Sequence, residues 1–330
     1  MRKTISALLL LALLICSLAM FSSCELVPQG PKGEKGEAGR GILKTEIIDG
    51  CLWITYTDDP GNPVNVGKLV NDNEPDYFLY RLNDDGETMT LIGAQNCVDT
   101  DIVIPATYRG KPVVAIGENA FEKCNYIKSV TISYGITSIG ARAFLDCTAL
   151  ENVTLSASVK KIEDSAFNGC TNLTNITMKE GLESIGFAAF HNCTSLKSIT
   201  LPESLQTIGK NAFSGCTQLT EIQIPQYVTT IEAGTFWGCT GLSNIIIPNG
   251  VTSIKENAFT DCTSLISVTL PHTITEIANS AFWACIRLEN ITFGGTKAQC
   301  KAIDFGYRWN FSVPAYGITC TDGIYRLNVN

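Results

Sequence analysis

Between residues 121 and 293 the apolar positions of the chain repeat every 23 residues. Eight cysteines, from Cys124 to Cys285, stand 23 apart, and each follows a phenylalanine by three residues, from Phe121 to Phe282. Three residues after the Cys comes Leu, or Ile127 in the first repeat; six after comes Val or Ile; eight after comes Ile, Leu, Met178 or Phe293. Two more apolar columns close the unit, as in Leu205 with Ile208 or Val251 with Ile254. Self-similarity at a fixed period of this length marks a stack of coils. Each Leu-x-x-Ile-x-Leu run ends in the two-residue alternation of a strand, and Pro202, Pro225, Pro248 and Pro271 stop it. In six repeats the residue before the Cys is Asp146, Gly169, Asn192, Gly215, Gly238 or Asp261. Those types tolerate a left-handed backbone, so a sharp turn is predicted there, capped by the Thr that follows the Cys in the same six repeats. The exceptions, Lys123 with Asn125 and Ala284 with Ile286, are the first and last repeats, where a stack needs atypical ends.

A single coil has no partner for its own apolar face, so coils stack and every column becomes a ladder. At a strand spacing of about 4.8 Å, eight coils make a curved rod about 40 Å long. The column cysteines read as small buried apolar groups, because equivalent positions offer no rule for choosing partners. A disulfide framework is the competing reading for an exported protein. Outside the ladder, Cys300 and Cys320 are the pair the sequence favours for a disulfide. No Cys-x-x-Cys occurs and the only histidines are His191 and His272, so neither a metal nor another cofactor is expected.

The N-terminal region has a different character. Arg2 and Lys3 precede an apolar run from Ala7 to Phe21, then Ser22-Ser23-Cys24, the layout of a secretory signal. The run falls short of the roughly 20 residues that span a bilayer. The segment resembles a bacterial lipoprotein signal with Phe21-Ser22-Ser23-Cys24 as its lipobox. That resemblance implies that residues 1–23 are removed and that Cys24 is lipidated, its acyl chains holding the protein to a membrane. Ordinary secretion, with Cys24 an incidental thiol, is the alternative. Residues 24–41 follow as a linker in which Gly30 to Gly41 keeps Gly at every third position, the collagen period. So short a run is read as an extended hydrophilic spacer, with trimerisation as the minor alternative. Residues 42–76 form a small β module, with strands at Ile47-Ile48, Leu52 to Thr57 and Val64 to Gly67. Turns are predicted at Asp49-Gly50 and from Asp58 to Pro63.

Charge narrows the partners. The chain carries 24 Lys plus Arg against 32 Asp plus Glu, a net of −8; without Arg2 and Lys3 the balance is 22 against 32, or −10. An acidic chain with no basic run gains nothing from counterion release, so nucleic acid is a poor partner. No acid, base and nucleophile stand at motif spacing, and an enzyme is not expected.

The repeat unit Ile185-Gly186, Ala189-Phe190, Asn192-Cys193-Thr194, Leu196, Ile199 and Leu201-Pro202 resembles the leucine-rich repeats of the BspA-like family of bacterial surface proteins. The resemblance spans about Asp101 to Phe293. It implies a right-handed, curved, mainly β leucine-rich repeat solenoid. On this reading residues 77–110 are the N-terminal cap and opening repeat, 111–293 the eight 23-residue repeats, and 294–330 the C-terminal cap. It further implies a lipid-anchored envelope protein exposed on the cell surface, binding host or bacterial surface proteins or glycans in adhesion. A scaffolding lipoprotein within the envelope and a polysaccharide-binding accessory protein are the alternatives. Two surfaces are candidates. Outward strand positions form a Thr-rich column containing Thr154, Thr177, Thr200, Gln223, Ile246 and Thr269, with Glu221 beside it. A solvated ladder of hydroxyls is the bland account of that face. Two residues before the Cys, Leu145, His191, Trp237 and Trp283 alternate with smaller residues, a column that either stacks on ligand rings or covers the coil edge.

Overall fold

The structure, a computed structural model, describes residues 42–48, 51–56, 59–68, 77–95 and 99–327. The signal, Cys24 and the collagen-like triplets lie outside them. The chain divides into two compact units on either side of the Asp76–Tyr77 bond. In the first, β1 (Ile42–Ile48), β2 (Cys51–Tyr56) and β3 (Asp59–Lys68) form an antiparallel meander in that order. The third strand is longer than the sequence suggested. It begins at Asp59, paired with Tyr56, so the segment to Pro63 read as a turn is largely strand.

The second unit is a mainly β solenoid. Its first strand series is the one the alternation predicts, from Ser129–Ile132 through Asn152–Thr154 to Asn290–Phe293. Neighbouring coils pair in parallel with the offset of one repeat, as in Val153 with Ile176 or Val268 with Ile291. Inward positions are core and outward positions are solvent, so a slip of one residue would invert both faces. A second series of two-residue strands, beginning at Ser138–Ile139 and Lys161–Ile162, runs along another side of the rod, again in parallel. Its apolar columns, such as Ile208 and Ile254, were legible in the repeat, but the strand itself was not.

The turn edge carries a third backbone ladder. In every coil the N–H groups five, three and one residues before the Cys donate to carbonyls of the next coil. In one coil these are Ala188 to Lys210, Phe190 to Ala212 and Asn192 to Ser214, each 2.8 Å. Two left-handed residues in each coil, four apart, turn these N–H groups the same way along the rod. The position before the Cys has positive φ in all eight repeats, including Lys123 (56°) and Ala284 (59°) where the residue type did not announce it. The position five before the Cys is left-handed too, from Asn119 to Ser280, and this second site went unpredicted. Asn119, Asn211, Gly234 and Asn257 were its sequence signal.

Inside the rod the eight phenylalanines form one continuous stack, with centroids 5.0 to 5.8 Å apart and planes within 14° of parallel. All eight are fully buried. The stack ends in edge-on contacts at both extremes: Phe78 meets Phe121 at 6.0 Å, and Trp309 meets Phe282 at 6.2 Å. T-shaped terminal rings present a positive edge to the last exposed π face.

The cysteine column is a ladder of free thiols. From Cys147 to Cys285 each thiol donates to the carbonyl of the Phe one coil back, at 2.9 to 3.2 Å. That carbonyl also accepts the N–H of the Cys in its own coil, so the thiol occupies its remaining lone pair. The column therefore selects a small side chain that is apolar in volume yet keeps one weak donor. Cys300 and Cys320 are buried against each other as free thiols, in place of the disulfide the sequence favoured. The Thr after the Cys also acts differently from the expected local cap. Thr194, Thr217 and Thr240 donate through Oγ1 to the Thr carbonyl of the preceding coil, at 3.2 to 3.4 Å.

Each end is closed by a strand that reverses direction. At the N-terminal end β4 (Phe78–Leu82) runs antiparallel to β5 (Met89–Ala94), which pairs in parallel with the strand Lys111–Ile116 of the short series. At the other end the helix α1 (Lys297–Lys301), with a Thr296–Gln299 capping box, leads into a ninth rung whose repeat is longer than 23 residues. Asp304–Phe305 continues the short series and Gly317–Cys320 the long one; Gly323–Arg326 then folds back antiparallel on it.

Ala284→Gly relieves a left-handed Cβ and is expected to stabilise the fold by about 1 kcal/mol. Gly169→Ala adds both a left-handed Cβ and a clash with the Asp146 carboxyl, and is expected to destabilise it by about 2 kcal/mol. Urea denaturation of the two variants reads both effects. Burial pushes the Cys147 and Cys216 thiols up to about 12 from the ordinary 9.0. Below pH 9 these thiols keep their protons in both states; above it the unfolded chain releases protons that the fold retains. Stability should therefore fall by about 1.4 kcal/mol per pH unit for each such thiol between pH 9 and 12. Denaturation midpoints that stay level to pH 11 would refute this.

Candidate functional site

Two surfaces come out of this scaffold. The first is the outer side of the long strand series. Thr154 pairs with Thr177 and Thr131, and Ile246 with Thr269, so these side chains share one column. Thr154, Thr177, Thr200, Gln223, Ile246 and Thr269 are all exposed, and Glu221 is exposed in the column beside them. Pairing extends the column beyond the repeats: Val103 lies opposite Thr131, Thr319 opposite Thr292, and Ile324 opposite Thr319. These additions escaped the sequence reading because the rungs that carry them leave the 23-residue spacing. The aliphatic members Val103, Ile246 and Ile324 are 58%, 70% and 63% exposed. Neighbouring outward groups satisfy one another along the rod. Asn175 donates to Asn152 Oδ1 at 3.0 Å, Ser267 to Asn244 Oδ1 at 2.6 Å, and Thr292 to Thr269 Oγ1 at 3.2 Å. The face is thus a rigid, weakly charged array of hydroxyl, amide and methyl groups.

The second surface is the turn edge. Its backbone ladder aligns Leu145, His191, Trp237 and Trp283 with the smaller Asn168, Ser214 and Thr260 between them. Because Ala284 donates to the Phe311 carbonyl, as Asp261 does to that of Trp283, Phe311 takes the next place in the column. Ser214 and Thr260 are buried, whereas Trp237, Trp283 and Phe311 stand exposed. Trp237 Nε1 donates to Asp261 Oδ2 at 3.2 Å, fixing the indole along the rod. His191 is half-buried, and its Nδ1 is buried without a hydrogen-bond partner. No acid or nucleophile sits at hydrogen-bond distance from it among the described contacts, in keeping with an edge residue. Beyond Phe311, Arg308 lies over the rings of Tyr307 and Phe311 at 5.1 and 5.0 Å. A shallow depression lined by Ala141, Lys161, Glu163, Asp164 and Ser184 holds only solvent-exposed ionic groups and assembles no reactive constellation.

The family model of the BspA type leucine-rich repeat region matches residues 95–206 and 183–307, in six copies. The chain belongs to this family. A leucine-rich repeat protein from Bacteroides ovatus is similar to it in crystal structure, with 27% identity and a TM-score of 0.59 over 76% of this chain and 72% of that one. The T. pallidum leucine rich repeat protein is 28% identical, with a TM-score of 0.42 over 72% of this chain and 86% of that one. A leucine rich cell surface protein from Faecalibacterium prausnitzii is 24% identical, with a TM-score of 0.33 over 71% and 97% of the two chains. Among curated proteins no match was found. BspA-type solenoids are typically non-catalytic, and leucine-rich repeats generally bind other proteins.

The two kinds of Trp in the solenoid differ sharply in role. Trp309 is buried, capping the Phe stack and lying against Phe305 at 4.8 Å. Trp309→Ala is expected to cost about 3–5 kcal/mol, whereas Trp237→Ala should cost about 1 kcal/mol or less, having little core contact to lose. Thermal denaturation of the two variants separates them, and equal losses would contradict the assigned burial.

Proposed function

We propose that this BspA-type protein is a lipid-anchored surface lipoprotein that binds macromolecular partners, proteins foremost, through the strand face in adhesion to host or other cells. The observation that carries the reading is the outward column from Val103 to Ile324, carried on three successive sheets. It is exposed along the rod, nearly uncharged, and presented by a backbone held in register on three sides. Such a face suits a large partner lying across many coils, where many modest contacts add, better than a small molecule that needs a concave pocket. Gln223, Glu221 and Ile246 break the Thr and Asn monotony and are proposed as its centre. Family membership supports surface display, and the Phe21-Ser22-Ser23-Cys24 motif supports anchoring at Cys24.

Protease shaving of intact cells, read by antibodies to the repeats, tests the display. Release of repeat fragments is expected; protection until the envelope is opened would favour a scaffolding role inside it. Partner binding by the released ectodomain is expected to fall at least tenfold in Ile246→Arg and Thr177→Arg, with no change in melting temperature. Unchanged binding in both would remove the strand face as the site.

A further inference from the structure

The turn edge differs from the strand face in chemistry and in spacing. Its aromatic members do not form a continuous apolar patch. Trp237 and Trp283 are two coils apart, about 10 Å along the rod at the usual strand spacing. The coil between them contributes the small, buried Thr260, and the coil before Trp237 the small, buried Ser214. The two residues on either side of each Cys, over the six coils from Asn168 to Arg287, include only two charged side chains, Asp261 and Arg287, of opposite sign. In a chain of net charge −8 this is a charge-depleted strip. That strip is also rich in oxygen acceptors. Thr194, Thr217 and Thr240 spend their hydroxyl protons on carbonyls of the preceding coil, so their lone pairs are what remains for a ligand. Asp261, bonded through one oxygen to Trp237, keeps its other oxygen as an acceptor.

We propose that this edge, with Trp237 and Trp283 as its ring platforms, binds an uncharged, extended β-linked polysaccharide lying along the rod. The C–H bonds on a pyranose face carry partial positive charge and pack on the negative face of an aromatic ring. In an extended β-linked chain alternate sugars are flipped, so the same face recurs every second sugar, which is the stride of Trp237 and Trp283. The intervening sugar falls over the coil with the small Thr260, where the second carboxylate oxygen of Asp261 can accept from its hydroxyls. A protein hot spot would instead want contiguous buried aromatics, and an acidic or basic polymer would want charges that the strip lacks. This site is separate from the strand face and does not rest on the function proposed for it.

Affinity electrophoresis of the full-length protein in detergent tests the proposal, with hydroxyethyl cellulose and mixed-linkage β-glucan as neutral probes and polygalacturonate as the acidic control. Retardation by a neutral polymer is expected, weakened about tenfold by Trp237→Ala or Trp283→Ala and lost in the double variant. Trp237→Phe, which keeps a ring, should retain most of the binding, and Thr177→Arg on the strand face all of it. Circular dichroism melts identify any variant that has lost its fold; for such a variant the Phe substitutions at the same positions carry the comparison. The proposal fails if neither neutral polymer retards the protein, if polygalacturonate alone does so, or if the folded double variant is retarded like the parent. It fails equally if the double variant loses binding to a protein partner while its glycan retention is intact.

Discussion

Every feature of this protein depends on the constraint that one coil is not a stable object. A 23-residue turn of chain has an apolar interior it cannot close alone, and its backbone donors on three sides point along the rod. Only the next coil, in the same register, accepts them. Once that register is set, each side-chain column becomes a ladder, and the interactions within it are identical because the geometry is. The stacked phenylalanines fill the interior, while the thiol ladder completes carbonyls that lie too deep for water. Stability is then a sum over rungs and their interfaces, so damage at one rung is felt by its two neighbours.

The thiol ladder places a condition on how the protein is made. A thiol that donates to a backbone carbonyl in a dry interior must be reduced when the coil closes over it, and a disulfide has no proton to give. Once buried, these groups are held as neutral thiols by desolvation, which keeps them from acting as nucleophiles. The fold thereby keeps a row of cysteines chemically silent by burial alone.

Much of this was legible in the sequence because a repeat reads the same sentence many times. The period, the strand with its Pro stop, the left-handed turn before Cys193 and its equivalents, and the outward Thr column all follow from residue types at fixed spacing. What escaped notice lies where residue type and geometry part company. Lys123 and Ala284 adopt a left-handed backbone because the coil-to-coil ladder demands it, against their own preference. The second left-handed site is occupied by Arg142, Ser165 and Ala188 as well as by Asn, which dilutes its signal. Phe311 and Ile324 join the two surface columns only in space, since the last rung is longer than a repeat and its final strand reverses. Cys300 and Cys320 were brought together as expected, yet as a buried pair of thiols.

The reversed strands at the two ends bear on the size of the assembly. A stack of parallel coils is open by construction: its last rung offers the next molecule the same template that it offered its own chain. Here β4 caps the short-strand series at one end and Gly323–Arg326 caps the long-strand series at the other, while Asp101–Ile104 and Asp304–Phe305 remain as parallel edges, so a second molecule's coil meets a matching template on only part of each end. That mismatch works against head-to-tail growth into fibres without sealing the rod completely.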